Sequence, residues 1–475
     1  MVSVKETLEV HGTLQARPAA LVAFMALAFA SALPAQRAEL QRRIQREVLP
    51  NGLEVIAVEN RGVPLVTIEA DVKNGSFTQS PEYSGLSHLY EHMFFKANQA
   101  YPEPDEFVAR ASELGAVFNG STTEERVNYY LTVPADSAAG GMQFLADALI
   151  SPLFREDELD REREVVIGEY DRNESSPDFA FNNAMGKALW TTAWSRKNPL
   201  GDRAIIESTT PQKMRTIQHK YYIPNNTALI VTGDIAPAQV FSLAEHLFGG
   251  WQRGPDPFTT DPIPPIPPLI HDTALIVEQP IGDAAEIMLQ WQGPSASLDP
   301  ASTYAADVFS DVLNQPGSLF QKHLVDSGLF EAVGVNYYTL NHVGPITISG
   351  ITSPDKLVRA LAALNAELRH VNDPGYLSKD ALESIKQGRI IGTMRSLERA
   401  SGFAQQLGFW WAVTGLDYFY GYVDTMAKQS PQDLLRYANR YIIGKPHVTG
   451  ALISPDARAA LHLTPAELLV PGAHP

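Results

Sequence analysis

No cysteine occurs among the 475 residues. Its absence excludes disulfides, thiolate zinc sites, a cysteine nucleophile and a lipidated N-terminal cysteine. It leaves the compartment open. Positive charge is scarce as well: 37 Lys and Arg stand against 54 Asp and Glu, a net charge of −17. No Lys/Arg-rich run relieves that balance, and the phosphates of a duplex would repel it, so no nucleic-acid partner is expected. After the first 35 residues no stretch reaches the roughly 20 apolar residues that a spanning helix needs. What is present is an ordinary globular composition, 44% hydrophobic and 19% charged. That excludes wholesale disorder and collagen-like repeats. At roughly 150 residues per domain, the length suits two to four domains.

The compartment is read from the N-terminus. Arg17 and Pro18 precede an apolar run from Ala19 to Ala30, and small residues follow through Ser31, Ala32 and Ala35. These are the charged, apolar and cleavage regions of a secretory signal covering residues 1–35. The expectation is a periplasmic or secreted protein with no stable membrane span after signal cleavage.

Seven prolines lie between Gly254 and Pro268. Such a segment is extended and semi-rigid, and it reads as a linker over residues 254–270. It separates a half at 40–253 from a half at 271–465. A repeat supports their kinship. Thr210-Pro211-Gln212 recurs 220 positions later as Ser430-Pro431-Gln432, and Lys220-Tyr221-Tyr222-Ile223 as Arg440-Tyr441-Ile442-Ile443. In each copy Ser or Thr can cap a helix, Pro suits its first turn, and an apolar strand follows. Leu53 to Val58 alternates like a strand, with Pro64 to Val72 as its expected hairpin partner. Helices are expected at about Gly85–Lys96, Asp105–Leu114, Glu156–Asn173, Ala301–Leu313 and Pro354–Val371, and a strand at Asn128–Val133. The class is α+β: two structurally similar halves joined by a proline-rich linker.

The chemistry is concentrated in Ser87-His88-Leu89-Tyr90-Glu91-His92-Met93. On a helix, His88 and His92 are i and i+4, so both imidazoles share a face and can hold zinc. Glu91 sits beside them as a candidate general base. This order, H-x-x-E-H, is the inverse of the commoner H-E-x-x-H. Two histidines leave a catalytic zinc one protein ligand short. The helix from Glu156 offers Glu156, Asp157, Glu158, Asp160, Glu162, Glu164, Glu169 and Asp171, and spacing alone does not choose among them. Val165, Val166 and Ile167 mark its expected buried side. Glu162 and Glu169 are seven apart and share a face, which suits one ligand and one supporting carboxylate.

These residues, with Glu162-Arg163-Glu164-Val165-Val166-Ile167-Gly168-Glu169, resemble the pitrilysin family of zinc peptidases. That family includes insulin-degrading enzyme and the mitochondrial processing peptidase. The resemblance implies a Zn2+ cofactor, a clamshell of two related halves, and peptide-bond hydrolysis in oligopeptides or unfolded segments. It implies Glu169 as third ligand, 77 residues beyond His92, and Glu162 as its supporting acid. Asn119-Gly120-Ser121-Thr122 is similar to the family's N-A-x-T segment, with Gly120 where alanine is usual. By that likeness Asn119 and Gly120 bind substrate on a strand edge. One departure matters. Active members use an Arg and a Tyr, seven apart, toward the substrate carbonyl. Aligned on Gly328, those places here hold Leu324 and Glu331, and neither donates a hydrogen bond as Arg and Tyr do. The resemblance therefore implies the metal-bearing subunit of a heterodimer, with a metal-free homologous subunit supplying the Arg/Tyr pair. A second reading is a non-catalytic structural or peptide-binding subunit of a processing-peptidase-like assembly.

Overall fold

A computed structural model describes residues 41–396 and 398–469. The expected signal at 1–35 lies outside them. Six strands form the first sheet: β1 (Ile44–Val48), β2 (Glu54–Glu59), β3 (Leu65–Val72), β4 (Val117–Thr122), β5 (Val127–Pro134) and β6 (Thr227–Gly233). Five form the second: β7 (Thr273–Glu278), β8 (Ala285–Gln292), β9 (Ala332–Tyr337), β10 (Pro345–Thr352) and β11 (Val448–Ile453). Their orders are β1-β2-β6-β3-β5-β4 and β7-β11-β8-β10-β9. The helices that matter here in the first half are α1 (Leu86–Phe94), α2 (Ala138–Ile150), α3 (Glu156–Glu174), α4 (Pro177–Trp190) and α5 (Pro211–Tyr221). In the second half they are α6 (Pro300–Asn314), α7 (Leu357–His370), α8 (Lys379–Ser396), α9 (Ala400–Val413), α10 (Leu416–Ala427) and α11 (Pro431–Tyr441).

The molecule is thus α+β, with two similar halves on either side of the proline-rich stretch. Strands β3 and β8 start and end 220 positions apart. So do helices α5 and α11, each with Pro at its first position. The side chains of Thr210 and Ser430 accept the Lys213 and Asp433 amides, as expected of caps.

Strands β2 and β3 do not form the expected hairpin. Strand β6 runs between them, parallel to β2 and antiparallel to β3. The reason is burial. All seven residues of β6 are buried, and a strand apolar on both faces belongs at the centre of a sheet.

Alternation along the strands sends side chains to two different cores. Val55, Ala57, Leu229 and Val231 face the first half's own helices. Ile56, Val58, Ala228 and Ile230 face Phe403, Ala404, Leu407 and Trp411 of α9, a helix that follows the second half's strands β7 to β10. The exchange is reciprocal: Phe181, Met185 and Leu189 of α4 pack on Met288, Val448 and Leu452 of the second sheet. Each large side chain buried there contributes about 1.5–3 kcal/mol at most. Each half therefore covers one face of the other's sheet.

Candidate active site

Helix α1 is preceded by Gly85, whose φ of +89° is left-handed. A Cβ at that position would stand 2.8 Å from the Leu200 carbonyl oxygen, so glycine is required twice over. Leu86, Leu89, Tyr90 and Met93 anchor the helix in the first core. Tyr90 stacks on Tyr222 at 3.9 Å between ring centroids. That anchoring turns His88, Glu91 and His92 together toward α3 and β4.

Helix α3 opens with Glu156, Asp157 and Glu158, which suit the positive end of its dipole. Glu158, Leu159, Glu162 and Val166 are its buried stripe. Val165, expected on that stripe, is 47% exposed. One residue is a 100° step on a helix, so Val165 turns away while Val166 turns in. Of the eight acids considered, Glu169 and Glu162 are the two that reach the histidines.

The Oε2 of Glu169 lies 3.5 Å from His88 Nε2 and 3.7 Å from His92 Nε2. One ligand atom from each of these three residues falls within 4.8 Å of the others. Zinc bonds of about 2.0–2.1 Å at tetrahedral angles hold their ligand atoms about 3.3 Å apart. The three side chains fit that ion in both spacing and donor type. Behind them, Glu162 Oε2 contacts His92 Nδ1 at 3.2 Å, and its other oxygen takes Lys96 Nζ at 2.6 Å. A carboxylate on the far nitrogen fixes the ring and its tautomer, leaving Nε2 free to ligate.

Burial, reinforced by the neighbouring His92, pushes the His88 pKa down to about 4, so this ring is neutral at ordinary pH. Burial would also lower His92, but Glu162, Glu169 and Glu91 outweigh it and raise it. Burial raises Glu91 against the pull of Thr122 and His92. A carboxylate lifted toward neutrality suits proton transfer in both directions.

Strand β4 pairs with β5 alone and leaves its other edge open. Asn119 is exposed on that strand, and its Oδ1 accepts the Gly120 amide at 2.9 Å. Gly120 lies against the base: a Cβ there would meet Glu91 Cγ and Oε1 at 3.0 Å. Leu324 is buried in the second core, and Glu331 is exposed one residue before β9. Two contributors were not singled out by the sequence. Thr122 Oγ1 donates to Glu91 Oε2 at 2.8 Å. Lys96 holds Glu162. Both carried a signal, since Thr122 is two residues beyond Gly120 on one strand face and Lys96 is four beyond His92.

The family model described as "Insulinase (Peptidase family M16)" matches residues 54–203, and that described as "Peptidase M16 inactive domain" matches 208–389. A Bacillus subtilis protein called "Uncharacterized zinc protease YmxG" is 26% identical over 75% of this chain and 85% of its own. Insulin-degrading enzyme of Bos taurus is 34% identical over 42% of this chain and 20% of its own. Among solved structures, a protease from Helicobacter pylori has the same fold, with a TM-score of 0.76 and 22% identity over 87% of this chain and 99% of that one. The periplasmic protease PqqL from Escherichia coli gives 0.75 and 16%, over 90% and 49%. Among the described residues no helix is long and apolar enough to cross a membrane. The chain belongs to peptidase family M16, its first half matching the insulinase domain and its second the inactive domain.

Proposed function

We propose that this chain is an exported zinc metalloendopeptidase that cleaves oligopeptides or unfolded segments. The observation that carries the reading is the convergence of His88, His92 and Glu169 beside Glu91. Those three side chains would hold Zn2+, which would supply the Lewis acidity that polarises a carbonyl and acidifies water. Glu91 takes the proton from the attacking water and returns it to the leaving amine, so the proton count closes within one residue. Glu162 holds His92 in register, and Lys96 holds Glu162. The open edge of β4 near Asn119 and Gly120 pairs with an extended substrate backbone, main chain to main chain.

No Arg/Tyr pair stands at Leu324 and Glu331, so the proposal includes a metal-free homologous subunit that brings one. The test is a peptide library read by mass spectrometry, with wild type and Glu91→Gln alone and after co-purification from the native host. Cleavage by the wild type in complex, lost in Glu91→Gln at unchanged zinc content, supports the reading. Equal cleavage by both forms would refute the base. Full turnover by the single chain would refute the partner. Zinc-loaded complex without any cleavage would favour the structural-subunit reading.

A further inference from the structure

The second half contains a counterpart of the metal centre. On α1, His88 and His92 are one turn apart, and Glu169 follows His92 by 77 positions. On α6, Asp307 and Asp311 are one turn apart, and Arg389 of α8 follows Asp311 by 78. The frames correspond. The strands that lead into α1 and α6 are β3 and β8, offset by 220. Along the helices the match is 219: the buried Leu89, Tyr90 and Met93 correspond to the buried Val308, Phe309 and Val312, and His88, Glu91 and His92 to Asp307, Ser310 and Asp311. Gly168-Glu169 and Gly388-Arg389 are again 220 apart. Both glycines have nothing within 4 Å of where a Cβ would stand.

The contacts correspond too. Arg389 Nε pairs with Asp311 Oδ2, and Nη1 lies 3.7 Å from Asp307 Oδ2. Arg389 Nη2 donates to the Asp307 carbonyl at 3.2 Å. Tyr422 of α10 closes the ring: its hydroxyl accepts from Arg389 at 2.5 Å and donates to Asp307 at 2.6 Å. In the first half, two imidazoles and one carboxylate converge, a donor set for a dication. In the second, two carboxylates converge on a cation that the chain itself carries. The place of Glu91 is taken by Ser310, whose hydroxyl donates to the Ala306 carbonyl of its own helix at 2.9 Å.

We propose that Arg389 is a tethered cation in the place that a metal would take in the first half, so that α6, α8 and α10 are braced together without metal. A guanidinium suits the position because its planar fork can serve several oxygens at once and cannot be lost to a chelator. The comparison rests on the zinc reading of the first half, and the experiment separates the two.

The full chain is followed by zinc titration and by hydrogen exchange. Wild type takes one equivalent of zinc. Chelation speeds exchange in 86–94 and 156–174 and leaves 300–314 and 379–396 unchanged. Arg389→Gln, with zinc bound, speeds exchange in 300–314, 379–396 and 416–427 by about tenfold or more, the loss expected of charged hydrogen bonds. Arg389→Lys keeps the charge without the fork and falls between, which covers a Gln form that does not fold. Asp307→His/Asp311→His/Arg389→Glu takes a second equivalent of zinc. Unchanged exchange in Arg389→Gln, a second equivalent in wild type, or a single equivalent in the folded triple variant would overturn the proposal. A wild type that takes no zinc would refute the first-half reading, while exchange in Arg389→Gln still decides the brace.

Discussion

The hydroxyl of Thr122 donates to Glu91 Oε2 at 2.8 Å, tying the open edge strand β4 to the base on α1. One hydrogen bond thus couples the surface proposed to hold substrate to the group proposed to move its proton. Thr122→Val keeps the shape and removes the donor. A hydrogen bond to a charged group is worth about 1.5–3 kcal/mol, so kcat should fall on the order of tenfold to a hundredfold. Zinc content, measured beside it, should not change.

Glu162 touches no ligand atom directed at the metal, yet it sets the ring that does. Glu162→Gln should weaken zinc by about tenfold to a hundredfold, the usual cost of losing such a support. Lys96→Met should give a smaller loss, because Glu162 then keeps one of its two anchors. Competition with a chromophoric chelator measures both, and equal affinities would refute the supporting role.

Beneath α9, Glu69 and Asp71 of β3 are both fully buried with one cation, Arg126, 3.7 and 3.3 Å from their oxygens. Burial, against the pull of Arg126 and Asn128, raises the Glu69 pKa to about 7. A raised carboxylate binds more protons when folded than unfolded, so its contribution is complete below about pH 4.5 and is lost as pH rises toward 7. Wild type should lose stability as pH rises from about 4.5 toward 7. Glu69→Gln should flatten that slope in urea titrations at a series of pH values. Parallel profiles would refute the assignment.

Between the halves, Glu125 accepts the amides of Asn341 and His342 at 2.6 and 2.7 Å, and His342 Nδ1 lies 3.0 Å from it. Lys197 donates to the carbonyls of His342 and Val343 at 2.8 and 2.7 Å. Glu125 lies in the turn that joins β4 to β5, and Asn341–Val343 in the turn that joins β9 to β10. Glu125→Gln turns an acceptor pair into a poor match for two amides and should cost about 1.5–3 kcal/mol, read as a lower urea midpoint.

Local periodicity sufficed wherever one helix carries the chemistry. His88, Glu91 and His92 converge because i, i+3 and i+4 share a face, and the capped repeats at Thr210 and Ser430 declare themselves within four residues. The two-half organisation was legible for the same reason. What the chain could not declare locally is which distant elements meet. Strand β6 follows β3 by more than 150 residues and still enters between β2 and β3, because only the assembled sheet offers a place covered on both faces. Val165 and Val166 are equally apolar, and packing against the core alone decided which turns in. The pairing of Arg389 with Asp307 and Asp311 follows no motif; the tertiary structure decided it by packing α8 against α6, whose acids stand 78 and more residues before it in the chain.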